Sequence, residues 1–310
     1  MKILVTGGAG YIGSTLVPIL LEKGHEVTVL DNFMYRENSL AGVMHSDALT
    51  VRRGDIRDRE LMTELLRPVD VVIPLAAIVG APACQRDPSG ATSINRDAIV
   101  MMLELLGSHQ YVIMPTTNSA YGHGGDGGYC DETSPLNPLS QYAREKVEVE
   151  ERLMSHELAT SLRLATVFGM SPRMRLDLLV NDFVYRAVQD GFIVLFESHF
   201  KRNYIHVRDV ALAFVLALEC PERFQGEIFN VGLSTANLSK FELCKAIQCH
   251  IPDLLIVEGD LRQDPDQRNY LVSNDKIEKE GFIPQFDLDR GIRELLKGIP
   301  TLTDQRHRNF

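Results

Sequence analysis

The order of apolar and polar positions predicts strands and helices in turn over the first 115 residues. KILVTG (2–7) is a short apolar run that ends in a glycine cluster. Apolar residues then recur at helical spacing from Ile12 to Lys23, and Gly24 is placed to end that helix. HEVTVLD (25–31) is rich in strand formers, 58–66 has helical spacing, and VDVVIPLAA (69–77) is a continuous apolar run. A helix over 94–107 and the strand YVIMPTT (111–117) follow. Uninterrupted apolar strands separated by helices predict a parallel sheet covered on both faces. The expected fold class is therefore α/β, a doubly wound parallel sheet.

Beyond residue 117 the pattern changes. Residues 118–140 are rich in Gly, Pro, Ser and Asn, and GHGGDGG (122–128), with five glycines, reads as a loop. Gln141 to Glu157 is a long polar helix, and LRLATVFG (162–169) is one more strand. After Met170 the elements are short and irregular, which predicts a smaller, mixed α/β domain. The expected division is 1–165 and 166–310. The stretch NYIHVRDVALAFVLALE (203–219), a strand or turn plus a helix, begins a segment (203–232) expected to rejoin the first domain.

Composition narrows the function classes. Apolar residues make up 45% and charged residues 24% of the 310, as in a globular chain able to build its core without staples. The balance of 32 basic and 42 acidic residues, net −10, argues against a nucleic-acid or anionic-membrane binder. Five scattered cysteines, Cys84, Cys130, Cys220, Cys244 and Cys249, form no metal-ligand spacing and read as buried free thiols, with no metal site expected. The N-terminus lacks the form of a signal peptide, and the longest apolar stretch, Val71 to Cys84, contains Pro74 and Pro82 and is shorter than a membrane helix requires. A cytoplasmic location is expected.

GGAGYIG (7–13) places Gly8, Gly10 and Gly13 in the spacing GxGxxG between a strand and a helix. Gly8 and Gly10 are expected to let the backbone approach a diphosphate, and Gly13 to let the helix lie close to the strand. Asp31 ends the second strand about 20 residues on, where an acid bonds a ribose 2′-hydroxyl. A carboxylate there repels a 2′-phosphate, which favours NAD over NADP; Arg36 nearby is suited to the opposite preference, and Asp31 is also a common turn-former. Tyr142 and Lys146, spaced i,i+4, share a helix face. A nearby ammonium and a nicotinamide cation lower a phenol's pKa, so the pair is suited to taking a proton from a sugar hydroxyl. Thr117, at the carboxyl end of a strand, is placed to share that proton.

Together these segments resemble the extended short-chain dehydrogenase/reductases that act on nucleotide sugars. The matching pieces are GGAGYIG (7–13), Asp31-Asn32, GDIRD (54–58), LAA (75–77), TNSAYG (117–122), DETSPLNPLSQYAREK (131–146) and RNYIHVRDVA (202–211). The resemblance implies a Rossmann domain that holds NAD and a smaller domain that holds a nucleotide sugar. By resemblance the cofactor meets Gly7, Gly10, Tyr11, Ile12, Gly13, Asp31 and Asn32; Asp55 and Ile56 flank its adenine. Leu75, Ala76 and Ala77 line its centre, Asn95 lies near it, and Tyr142 and Lys146 reach it. Thr117, Tyr142 and Lys146 take the catalytic positions. A homodimer through the helices near 95–107 and 141–157 is also implied.

The resemblance leaves the outcome after oxidation at C4 to be read from other positions. The 4,6-dehydratases and the decarboxylases carry an acid just after the catalytic Thr or Ser, where this chain has Asn118 and Ser119. The cysteine and histidine pair of the reductase-epimerases is missing too. A 4-dehydrogenase and a 4-epimerase remain. TTNSAYGHG (116–124) and ATVFGMSPRMRLDLLVNDF (165–183) look most like the GDP-heptose 4-dehydrogenases of capsule sugar synthesis, and Thr166 replaces an asparagine of the galactose epimerases. Residues 170–209 hold six bases and five acids, a local excess of one positive charge in an acidic chain. Arginine forks suit a diphosphate. Arg202 is the first choice, then Arg268 and Arg175, with Asn118, Ser119 and Thr166 toward the sugar. His206 reads as a structural histidine at a helix start, and His123 sits in the glycine loop.

Overall fold

The protein, described here from a computed structural model, is defined over residues 1–35, 38–124, 128–259 and 268–302, apart from the side chains of 81 and 82. Arg36 lies outside the described residues. The centre is a seven-stranded parallel sheet. Strands β1 (Lys2–Thr6), β2 (Glu26–Asp31), β3 (Leu49–Arg53), β4 (Val71–Pro74) and β5 (Tyr111–Thr117) form most of it, joined by Ala159–Leu164 and Glu227–Val231. The spatial order runs Glu227–Val231, Ala159–Leu164, β5, β4, β1, β2, β3, so the winding reverses at β1. That reversal opens a crevice at the carboxyl ends of β1 and β4. One apolar layer (Leu16, Leu20, Val210, Phe214) covers one face of the sheet, and another (Met62, Leu66, Met102, Val149) covers the other.

Helix α1 (Gly13–Glu22) follows β1 and ends before Gly24, whose φ of +81° reverses the chain. Asp58 caps the Arg59–Leu66 helix by accepting from the backbone N–H groups of Glu60 and Leu61, and Ser140 caps Gln141–Leu153 in the same way. The edge strand β3 and the helices Ala81–Arg86 and Pro88–Thr92 carry no clear periodicity; half-buried edges and single turns leave little for a hydrophobic pattern to mark. VDVVIPLAA forms a strand only over Val71–Pro74, because residues 75–80 leave the sheet as a loop in the crevice.

The run 162–169 is not one strand. Ala159–Leu164 pairs β5 and Glu227–Val231 in the large sheet. After Ala165 the chain joins a different, three-stranded sheet, in which Thr166–Phe168 pairs parallel with Lys201–His206 and the latter pairs Asn237–Ser239. Lys201–His206 therefore belongs to the small sheet, whereas the helix that follows it, Val207–Glu219, packs on α1. A second core (Phe168, Val184, Ile193, Leu243, Ile292) fills the space beside the small sheets.

One buried ion pair ties the Gln141–Leu153 helix to the sheet. Glu150 Oε1 accepts from Arg163 Nη2 at 2.6 Å, and its Oε2 accepts from Thr116 Oγ1 at 2.8 Å and Ser161 Oγ at 2.6 Å. Arg163 Nη1 continues to Tyr121 Oη at 3.0 Å, and Tyr121 donates to Asn230 Oδ1 at 2.8 Å. Removing one partner leaves the other charge buried without compensation. Glu150→Ala should therefore lower the unfolding free energy by about 3–5 kcal/mol, measured by urea titration.

Candidate active site

A cleft of about 780 Å³ opens at the carboxyl ends of β1, β4 and β5. The glycine turn forms its floor. Gly7, at φ +69°, lies so close to the loop after β4 that a Cβ would stand 2.6 Å from Ala76 N. A Cβ on Gly13 would stand 2.6 Å from Gly7 O, so Gly13 allows the turn to close on itself. Gly8 departs from expectation: it does not line the cleft but packs against Val29 of β2, 2.8 Å from a Cβ position. Gly8 thus lets the turn lie close to β2, while Gly13 lets the start of α1 lie on the turn after β1. Gly10 lines the cleft beside the start of α1, and its Cβ position meets only Gly7 O, at 3.0 Å. A smooth backbone wall beside a helix start fits a dinucleotide's diphosphate.

Asp31 closes one side of this floor. Its carboxylate accepts from Ala9 N at 3.0 Å and Phe33 N at 2.8 Å. Tyr11, Ile12, Asn32, Asp55 and Ile56 line the same end, and Leu75, Ala76 and Ala77 line the middle. Asp55 is drawn below the usual carboxylate range by its hydrogen bonds to Arg57. Asn95 stands apart. It is fully buried and outside the cleft wall, where Ile78 N donates to its Oδ1 and its Nδ2 donates to Ile78 O, both at 2.9 Å. Asn95 thus holds the loop after β4 and does not face the cleft.

At the other end, Thr117, Tyr142 and Lys146 line one wall, with Ser119 and Thr166 nearby. Thr117 Oγ1 donates to Ser119 Oγ at 2.9 Å. Lys146 Nζ donates to Pro115 O at 3.3 Å. Asn118 does not reach the cleft; its amide is buried, with no hydrogen-bond partner among the described residues. Of the turn Asn118–Tyr121, Ser119 lines the cleft, whereas Asn118, Ala120 and Tyr121 are buried away from it.

Burial raises the Tyr142 phenol to about 12 and lowers the Lys146 ammonium to about 8. Arg175 and Arg268 pull the Tyr142 phenol back down against that burial. Among the described residues, four arginines line the cleft: Arg173, Arg175, Arg202 and Arg268. Arg268 Nη1 donates to Ser119 Oγ, and Arg175 Nη2 pairs with Asp177 Oδ2 at 2.5 Å. Arg202 is 2% exposed. His123 also touches the cleft. His206 does not: it caps the Val207–Glu219 helix through Nδ1, and its Nε2 lies 2.6 Å from Glu294 Oε2. None of the five cysteines forms a disulfide, but Cys249 is exposed and Cys220 half-buried, so the expected burial fails there; both sit at helix ends.

A parallel sheet with a glycine-lined cleft at its reversal point, facing a Tyr-Lys pair, defines an oxidoreductase of the nicotinamide-dinucleotide class. The chain belongs to the NAD-dependent epimerase/dehydratase family, whose model matches residues 3–232, and it is an enzyme with NAD as its cofactor. It is 28% identical to the low-salt glycan biosynthesis protein Agl12 of Haloferax volcanii over 94% of this chain and 96% of that one. It is also 28% identical to UDP-glucose 4-epimerase of Corynebacterium glutamicum over 99% and 98% of the two chains. The Thermus thermophilus UDP-glucose 4-epimerase complex with NAD superposes with a TM-score of 0.84, 26% identity, and coverage of 97% and 99%. No helix among the described residues is long and apolar enough to cross a membrane.

Arg173 was not among the sequence-based choices, and only burial and position bring it forward. The pH dependence of folding tests the environment of Lys146. Its folded pKa of about 8 lies below the unfolded 10.5, so between pH 8 and 10 the unfolded chain binds the extra proton. Stability from this group therefore rises with pH across that window. The melting temperature of the wild type should rise relative to Lys146→Met between pH 8 and 10, read by calorimetry.

Proposed function

We propose that the protein oxidises the C4 hydroxyl of a nucleotide-linked sugar, with Tyr142 as the base. The observation that carries this reading is that Thr117, Tyr142 and Lys146 line the same cleft as the glycine floor and Asp31. When bound, NAD supplies the hydride acceptor and a positive ring beside the phenol. Tyr142 takes the hydroxyl proton, helped by Arg175 and Arg268, which favour its ionised form. Thr117 orients the hydroxyl, and Lys146 holds the helix against Pro115 while keeping a proton close by. Arg202 and Arg268 hold the sugar's diphosphate, with Ser119 and Thr166 toward the sugar. In this reading 1–165, with Val207–Glu219 and Glu227–Val231, is the NAD-binding domain, and the remainder of 166–310 is the nucleotide-sugar domain.

The two positions after Thr117 hold no acid to drive elimination of water. Asn118 faces away from the cleft, and the Ser119 hydroxyl, bonded to Thr117 and Arg268, is not an acid at neutral pH. This supports a 4-dehydrogenase or a 4-epimerase over a 4,6-dehydratase. The resemblance of 116–124 and 165–183 favours a GDP-sugar 4-dehydrogenase of the GDP-heptose type, acting in the cytoplasm in surface-polysaccharide synthesis. Likeness to the Corynebacterium enzyme favours the 4-epimerase reading.

Product NMR over a panel of nucleotide sugars separates the two. A dehydrogenase forms stoichiometric ketosugar only with an external hydride acceptor; an epimerase makes the C4 epimer catalytically without one. Tyr142→Phe should reduce turnover at least ~100-fold, and near-normal turnover would sink the mechanism. The reading includes a homodimer through Ala98–Leu105 and Gln141–Leu153, where Val100, Met101 and Leu103 are part-exposed. Light scattering should return twice the chain mass.

A further inference from the structure

The four arginines of the cleft do not share one neighbourhood. Arg268 touches Ser119 beside Thr117, at the Tyr142 end. Arg175 is held by Asp177 and lies near Val79 O, at 3.5 Å. Arg173 is attached to the opposite end. Its backbone N–H donates to Ser14 Oγ at 3.3 Å, in the first turn of α1. Ser14 Oγ is 3.0 Å from Ser171 Oγ, which donates to Tyr11 O at 2.7 Å, and Tyr11 Oη donates to Gly169 O at 2.7 Å. The segment 169–173 is thus stitched onto the glycine turn itself. The Arg173 guanidinium, 2% exposed, lies 3.9 Å from the ring centre of Tyr35, four residues beyond Asp31. Both side chains line the cleft.

We propose that Arg173 is a ligand of the cofactor's diphosphate, reaching from the segment after Thr166–Phe168 to close the glycine floor, with Tyr35 as the plate that orients its fork. This rests on the reading of the glycine-lined cleft as the NAD site. The diphosphate at Gly10 meets backbone and the positive end of α1 from below. Arg173, which lines the same cleft on a segment bonded to Ser14, would add a planar donor pair suited to two phosphate oxygens. The Tyr35 ring beneath the guanidinium carbon limits its rotamers. The cofactor is therefore gripped by both halves of the cleft, and Arg173 serves NAD while Arg202 and Arg268 serve the sugar's diphosphate.

Calorimetric titration of cofactor-stripped protein with NAD, ADP and adenosine tests this, alongside the NAD content of the protein as purified. In Arg173→Met the Kd for NAD and for ADP should rise about 10- to 100-fold, the size of a lost hydrogen bond to a charged group, and purified NAD content should fall. The Kd for adenosine, which lacks phosphate, should stay within about twofold of the wild type. Arg202→Met should leave NAD affinity unchanged. Arg173→Lys, which keeps the charge but not the fork, should show a smaller rise for ADP; it carries the test if the methionine variant does not fold. Unchanged ADP affinity, or equal losses for ADP and adenosine, would overturn the role of Arg173 alone. Failure of the wild type to bind NAD or ADP would overturn the cofactor reading and the proposal with it.

Discussion

The cleft exists because two backbone segments meet with no side chain between them. Gly7 lies against Ala76 at a distance no Cβ tolerates, which brings the turn after β1 onto the loop after β4 at the point where the sheet reverses. That contact seats the glycine floor, aims the start of α1 into the crevice and leaves residues 75–80 as its middle wall. β5, on the far side of β4, then carries Thr117 to the same crevice, and the helix Gln141–Leu153 brings Tyr142 and Lys146 over it. The Glu150–Arg163 pair fixes that helix against β5 and Ala159–Leu164, so Tyr142 is positioned by an interaction two turns further along.

Charge is arranged to match. A chain of net −10 repels polyanions in bulk, yet gathers four arginines in one cleft. Buried guanidiniums are costly unless held. Asp177 holds Arg175, the Ser119 hydroxyl receives Arg268, and the Tyr35 ring supports Arg173. Low exposure then strengthens their field where a small diphosphate enters.

Much of this was legible before the fold was known. Short apolar strands, a glycine cluster after the first of them and a Tyr-Lys pair at helical spacing are local features, and β1, β2, β5 and the helix start at Gln141 lie where the pattern places them. The misreadings share one cause: they concern partners distant in sequence. The run 162–169 is uniformly strand-forming, so nothing in it records that the chain changes sheets at Ala165. Asn95 and Asn118 sit at positions of chemical interest but turn to Ile78 and into the core. Gly8 is expected at the cleft but packs on Val29, 21 residues further on.

The sequence by itself determined the fold class, the glycine turn after the first strand and the placing of Tyr142 and Lys146 on one helix face, because each depends on residue type and local spacing. Only the tertiary structure decided which arginine faces which end of the cleft and which cations act on Tyr142. Ser14 and Arg173 are 159 residues apart, and Ser119 and Arg268 are 149 apart. Their meeting is set by sheet order and packing, and no periodicity along the chain encodes a contact of that range.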